Sequence, residues 1–486
     1  MDWQEYYRSR LVTPAEAVAH IKSGDIVAIP IFPPATLLPA LWERRHSLRD
    51  VTLRLLAPAA DPGWLKPGAE EHFNIEFEIY IGDYARFAMD EKRATYLPNL
   101  FSLGFKPWDE RPDYRGKADV VLVAVSPPNK HGYVHFGAHH WTKRDYVRRT
   151  PLVIGEVDPT LVNVFGDVYV HVTELDWIVE YNPPTFTREQ FEALLAPLPP
   201  ERAAGFRELL NDIPVQRLAP LAGVISAVSP QDVRNFFGLG EPPEYAKAIA
   251  GYLKDLVPDR ATIQIGTGEP GRLMPNLGVF DDKHDLGLHT ELGSPGFGRL
   301  VEAGVITGKY KSIHPGKAVA AAWTGCDDKD LEIIDSNPKF ELYDPSYVLS
   351  MRTLSHIDNY VTINNAISVD LIGQVNSESV FGGRMINGNG GQPELALAGS
   401  FSRGGRSIIL LPSTALGGTV SRIVAQHEQG AMITVPRHWV DYVVTEYGVA
   451  SLMGKNHRQR AEELIAIAHP DFRAELRREA RRLWWP

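Results

Sequence analysis

Glu291 stands in Asp285–Gly296, DLGLHTELGSPG, flanked by Gly287, Gly293 and Gly296. That spacing predicts a constrained turn rather than a helix face, and a carboxylate there can act as base, metal ligand or nucleophile. It can equally cap a helix or pair with a cation. Three further segments carry glycine where a ligand could be held. Ile263–Arg272, IQIGTGEPGR, reads as a strand running into a turn whose backbone amides can be aimed at a ligand. It is neither GxGxxG nor a P-loop, so a plain strand-to-helix turn competes with the ligand reading. Asn387–Gln392, NGNGGQ, offers successive N–H groups of the kind that stabilise an oxyanion, or else an ordinary surface loop. Leu411–Arg422, LPSTALGGTVSR, reads as a strand end followed by polar and glycine residues, where ligands gather in open α/β sheets.

Other chemistries find less support. His131, His135, His139 and His140 cluster in NKHGYVHFGAHHW and invite a zinc site. Set among Gly132, Gly137 and aromatics, they predict a hairpin rather than the helix that HExxH requires, so no metal is expected. No GxSxG elbow is present. Cys326, the one cysteine, lies in TGCDDKD, whose acidic residues oppose a thiolate. A formal net charge of −10 argues against nucleic acid as a partner, although a local amide nest can still hold phosphate.

The elements that must position these residues alternate. β-branched apolar runs at Asp25–Pro30, Asp119–Val125, Pro151–Val157, Thr262–Ile265, Ala318–Ala322, Ser407–Leu411 and Asp441–Thr445 read as buried strands of a mainly parallel sheet. Helices are expected at Pro14–Ser23, Glu189–Leu195, Pro243–Leu253 and His457–His469, the first with Thr13 as N-cap. Tyr181–Pro230, with Pro183, Pro184, Pro197, Pro199 and Pro200, reads as a linker carrying short helices. A chain of 486 residues exceeds one ordinary core, and we place a boundary near residue 220, giving domains 1–220 and 221–486. KSGDIVAIP and LVPDRATIQIG echo each other at the start of the two halves, which suggests two related α/β domains. The start lacks a secretory pattern, and the apolar stretch 26–42 is broken by prolines and too short to span a bilayer. With a single cysteine, a cytoplasmic setting is expected.

Taken together, IQIGTGEP, DLGLHTEL, LVEAGVITGK, VTINNAISVDLIGQVNSES, NGNGGQ, LPSTALGGTVSRIV, VVTEYGVASLMGK and RAEELIAIAHPDFR occur in one order. They resemble the acetyl-CoA hydrolase/4-hydroxybutyrate CoA-transferase family, and SPPNKHGYVHFG and FGDVYVHVTELDWIVE extend the likeness into the first half. The resemblance implies two CoA-transferase α/β domains with the active site in the cleft between them. It implies Glu291 as a nucleophile that forms a glutamyl-CoA thioester. Gly266, Thr267, Gly268, Asn387, Gly388, Gly390 and Gly391 match positions that contact CoA, and the amides of Thr267 and Gly391 match an oxyanion hole. The substrates implied are an acyl-CoA and a small carboxylate acceptor, with no permanently bound cofactor and a homodimeric enzyme. Hydrolysis of the acyl-CoA at the same site, or CoA binding without catalysis, are the alternatives. Three positions depart from the family: Leu416 where lysine is common, Ser368 where glutamate is common, and Pro295 after the nucleophile.

Overall fold

The computed structural model describes residues 2–56, 61–183, 186–223, 225, 229–236, 239–380 and 382–484. Contacts divide it into Met1–Tyr181 with Glu244–Pro486, and a smaller unit, Asn182–Pro243. The smaller unit holds helices Arg188–Leu195, Pro200–Leu209 and Pro230–Phe236 around Phe191, Phe206, Leu209 and Val233. It covers most of the proline-rich stretch, of which Pro184, Thr185, residue 224 and residues 226–228 lie outside the described residues. Residue 220 falls inside this unit.

In the larger unit, runs rich in apolar and β-branched residues form two large sheets whose central strands, such as Val120–Val125 and Thr262–Ile265, are buried on both faces. The first has seven parallel strands, in the spatial order Trp177–Glu180, Leu152–Val157, Val120–Val125, Ile26–Ile29, Val51–Leu55, Phe73–Phe77 and Ala94–Tyr96. The second has nine strands: Gly448–Ser451, Tyr442–Thr445, Arg406–Leu410, Tyr360–Asn365, Thr262–Ile265, Gly287–Leu292, Ala318–Ala322, Phe340–Leu342 and Phe165–Gly166. Only the Tyr442–Thr445/Gly448–Ser451 pair is antiparallel.

Both sheets wind alike. From Ile26–Ile29 the chain steps outward through three strands, then returns to Val120–Val125 on the other side and steps outward again. From Thr262–Ile265 it does the same, returning at Tyr360–Asn365. The echoing segments therefore occupy equivalent central positions. Phe165–Gly166, from the first half, pairs parallel to Phe340–Leu342 and completes the second sheet. A single apolar cluster joins Val121, Val123, Phe136 and Trp141 to Val319, Ala321, Tyr360 and Leu395.

The seven strands expected from sequence appear within a residue of their expected ends, and Thr13 closes a capping box with Glu16 ahead of Pro14. That helix stops at Val18 rather than running to Ser23. Among the described residues no helix is long and apolar enough to cross a membrane.

Candidate active site

Glu291 is not in a turn. It is the fifth residue of strand Gly287–Leu292, between Thr262–Ile265 and Ala318–Ala322, where the strand's burial gives way to partial exposure. The expected turn rested on Gly287, Gly293 and Gly296, but the first of these is a strand residue with a packing reason. A Cβ there would lie 2.5 Å from Lys311 Cγ and 2.8 Å from Thr262 Oγ1. Two residues before Glu291, His289 points the same way but is fully buried, with Nε2 2.9 Å from Val348 O, and burial pushes its pKa down to about 3. The chain leaves the strand through Gly293, whose N–H donates to Ala322 O, and enters helix Phe297–Glu302. Buried Asp330 holds that entry by accepting from the N–H groups of Gly296 and Gly298, both at 2.8 Å.

The Gly391 N–H donates to Glu291 Oε2 at 3.1 Å. A Cβ on Gly391 would stand 2.2 Å from that oxygen, so only glycine lets the loop approach so closely. The preceding residues are clamped to the edge of the first sheet. Gly388 N donates to Tyr80 O, the Tyr96 hydroxyl donates to Asn389 Oδ1 at 2.5 Å, and Arg86 Nη2 donates to Asn387 Oδ1. The other glycine segment meets the same loop through one residue, Asn365, by its side chain on one side and its backbone carbonyl on the other. Asn365 Nδ2 donates to Gly268 O at 2.9 Å, Asn365 Oδ1 accepts from Gly271 N at 2.7 Å, and Asn365 O accepts from Gln392 Nε2 at 3.0 Å. Ile265 pairs with Ile363 and Asn365 ends that neighbouring strand two residues further on, so Gly266, Thr267 and Gly268 are wound around it. Thr267 and Gly268 are exposed. The expected residues thus sit at the ends of three neighbouring strands, with Gly391 bonded directly to Glu291 and the Thr267 turn joined to Asn365.

Sequence reasoning missed Glu394. It lies in the first turn of helix Gln392–Phe401, is 3% exposed, and accepts from Phe101 N and Ser102 N, both at 3.1 Å. Burial pushes the Glu291 carboxyl up to about 8, the charge of Glu394 adds to this, and the Gly391 N–H opposes it. Glu394 itself is pushed up to about 7 by burial, against its N–H donors. An acid three residues after Gly391 was visible in GGQPE, but its meaning depends on the fold that sets it near Glu291.

Models of the acetyl-CoA hydrolase/transferase N-terminal domain and C-terminal domain match residues 1–186 and 328–480. The 4-hydroxybutyrate coenzyme A transferase of Clostridium kluyveri is 34% identical over 483 residues, covering 99% of each chain. The chain belongs to the acetyl-CoA hydrolase/transferase family. It is 32% identical to the succinyl-CoA:cyclohexane-1-carboxylate CoA transferase of Geobacter metallireducens over 489 residues, covering 99% of this chain and 97% of that one. Among solved structures, RipA from Yersinia pestis superposes with a TM-score of 0.80 at 28% identity, covering 100% of both chains. The chain is therefore an enzyme, its CoA-transferase relatives act on acyl-CoA and small carboxylates, and its α/β fold with mainly parallel sheets is theirs.

The family departures have definite settings. Leu416 is 63% exposed at φ +49, Ser368 Oγ lies 3.4 Å from His427 Nδ1, and Pro295 precedes Gly296 at φ +93. The histidines go separate ways: His140 pairs with buried Asp344 at 3.2 Å, His139 bonds Thr324 Oγ1, and His135 Nδ1 accepts from Gly137 N. Among the described residues no group of three or more His, Cys, Asp and Glu side chains could hold a metal ion. Tyr133–His135 turns back on the preceding chain, with Ser126 N donating to His135 O and Asn129 N to Tyr133 O, both at 2.8 Å, and also pairs antiparallel with Tyr169–His171. Cys326 is buried, and burial with Asp330 and Asp327 holds its thiol well above the ordinary range.

Proposed function

We propose that this enzyme transfers CoA from an acyl-CoA to a small carboxylic acid through Glu291, and the Gly391–Glu291 hydrogen bond carries that reading. The ionised Glu291 carboxylate attacks the thioester carbonyl, the C–S bond breaks, and a mixed anhydride and CoA thiolate result. The thiolate attacks the glutamyl carbonyl, releasing the donor acid and leaving a glutamyl-CoA thioester. An acceptor carboxylate attacks that thioester and regenerates an anhydride and thiolate. Attack of the thiolate on the new acyl carbonyl gives the product acyl-CoA and frees Glu291. Each attack builds an oxyanion. The Gly391 N–H, already at a Glu291 oxygen, suits the tetrahedral centre on the glutamyl carbon, and the Thr267 amide suits the one on the acyl carbon. A raised pKa makes Glu291 a better nucleophile once ionised. Gly266, Gly268, Asn387, Gly388 and Gly390 would line the path of CoA, whose remote binding energy orients the thioester.

The reading extends to a homodimer in the cytoplasm, with halves 1–220 and 221–486 and the site in the cleft between them. Acyl-CoA supplied without acceptor, followed by borohydride, should change the mass of the peptide containing Glu291. Initial rates should give parallel double-reciprocal plots. Intersecting plots with an unmodified peptide would reject the covalent route. The family name also supports a second reading, hydrolysis at the same site. It predicts a labelled peptide that decays to free CoA with no acid present.

A further inference from the structure

Helix Gln392–Phe401 follows the loop that meets Glu291 and is apolar on more than one side. Leu395 and Ala398 pack into the cluster that joins the two sheets. Pro393, Leu397 and Phe401 recur at i, i+4 and i+8 on another stripe, where Leu397 is half-buried and Phe401 is 73% exposed. A helix that already has a core face does not need a second, open apolar stripe for packing.

Pro393, Glu394 and Leu397 form one wall of a groove of about 400 Å³. The rest comes mainly from residues 100–110, from Ser350, Met351 and Arg352, and from Trp439. Leu100 and Leu103 stand there 40% and 45% exposed. A concavity of this size, largely apolar with a few polar groups converging on it, has the proportions of a small-molecule site. Neither Glu291 nor Gly391 lines it.

The charges around the groove leave one cation over. Lys106 pairs with Glu110 at 2.8 Å, and Arg149 pairs with Asp109 at 3.0 Å and Asp145 at 2.5 Å. Glu394 is held by the N–H groups of Phe101 and Ser102. Arg352 is tied down only through its backbone, its N–H donating to Ser350 Oγ at 3.3 Å. Among the described residues its exposed guanidinium has neither a hydrogen bond nor an ion pair. The groove therefore presents apolar walls, an open guanidinium and no unpartnered acid.

We infer that this groove binds an amphipathic organic anion, with its apolar body against Leu100, Leu103, Leu397 and Trp439 and its acidic head on Arg352. The site is separate from the catalytic one but linked to it. The Gly391 N–H faces Glu291, whereas Glu394, three residues on, lines the groove and takes its donors from the segment bearing Leu100 and Leu103. A ligand resting on those two leucines fixes the segment that holds Glu394, and the charge of Glu394 acts on Glu291. The groove is thus an effector site. That role rests on the transferase reading, whereas the binding itself does not.

The test titrates the full enzyme with octane-1-sulfonate, which has an alkyl chain and an anionic head but no carboxylate to receive CoA. Binding is followed by calorimetry in the presence of saturating CoA. A single site per chain is expected, and butane-1-sulfonate should bind about tenfold or more weakly, because fewer methylenes are buried. Arg352→Glu and Leu103→Asp should each weaken binding about tenfold or more, and Arg352→Lys by no more than about threefold. Both positions are exposed, so without sulfonate these variants should fold and keep kcat and KM within about twofold. Absence of binding, binding abolished by CoA, or equal binding in Arg352→Glu and Leu103→Asp overturns the site. Bound octane-1-sulfonate should change the parent kcat by about twofold or more and leave that of Arg352→Glu unchanged. An unchanged parent kcat overturns the effector role. An enzyme with no transfer to any acid and no label on Glu291 overturns the transferase, while calorimetry still decides the groove.

Discussion

Replacing Glu291 with glutamine separates the chemical and the energetic consequences of putting a carboxylate at this strand end. The amide keeps the side chain's shape and its oxygen can still accept the Gly391 N–H, but it is no longer a carboxylate nucleophile. In the folded enzyme, burial and the charge of Glu394 move this carboxyl from 4.5 to about 8. A group raised in this way contributes stability that is complete below the unfolded value and lost as pH rises toward the folded one. The gap at about 1.36 kcal/mol per pH unit sets a ceiling of about 5 kcal/mol. Partial exposure of the side chain and an effective dielectric well above that of dry protein bring the expectation to about 2–3 kcal/mol. Glutamine removes this pH-dependent loss. Its amide N–H2, where unpaired, costs about 1–3 kcal/mol, but that cost is the same at every pH, so the pH dependence carries the test. Thermal unfolding of both proteins at pH 5, 6, 7 and 8 should show the variant gaining on the parent by a few degrees across the series, at about 2–4 °C per kcal/mol or less for a unit this large. A difference that does not grow with pH refutes the burial argument. Retention of more than about a hundredth of the parent kcat refutes the nucleophile.

Gly391→Ala should lower kcat about a hundredfold or more with CoA affinity largely kept, since the new Cβ would sit 2.2 Å from the Glu291 oxygen; a near-normal kcat would mean the loop moves freely. Glu394→Gln removes a charge that raises the Glu291 pKa, so the acid limb of kcat/KM should move to lower pH, and an unmoved limb would break the electrostatic link. Cys326→Ser should leave kcat within about twofold, because a buried thiol held protonated by Asp330 and Asp327 is no nucleophile. Leu416→Lys should leave CoA binding by calorimetry unchanged or tighter, the side chain being 63% exposed; a strong loss would give Leu416 an apolar role.

Strands were legible where β-branched apolar runs are uninterrupted, as in VVLVAV and AVAAA. Val51–Leu55 and Phe73–Phe77 were not, because VTLRL and FNIEF carry charge into the sheet. Arg54 is 2% exposed, with Nε 2.6 Å from Glu76 and Nη1 donating to Gly116 O, a compensation that only the fold reveals. Gly388 and Gly391 announced themselves because Tyr96 and Glu291 approach their backbone too closely for a side chain, with a Cβ standing 2.6 Å and 2.2 Å away. Glu394 gave no such signal: its importance comes from neighbours about three hundred residues distant in sequence.

The duplicated winding bears on how the proposed chemistry is kept in order. A double displacement requires CoA to stay attached while one acid leaves and another enters, so the handle and the acid need separate approaches to one carboxylate. Two sheets wound alike supply two reversal points, and the second sheet's lies at Thr262–Ile265, the strand beside the one that bears Glu291. That one is lined by glycine, where amides can approach phosphate or an oxyanion without side chains intervening. In the proposed reaction, the choice between an entering acid and water depends on how completely the acid's approach is closed to water when the thioester stands on Glu291.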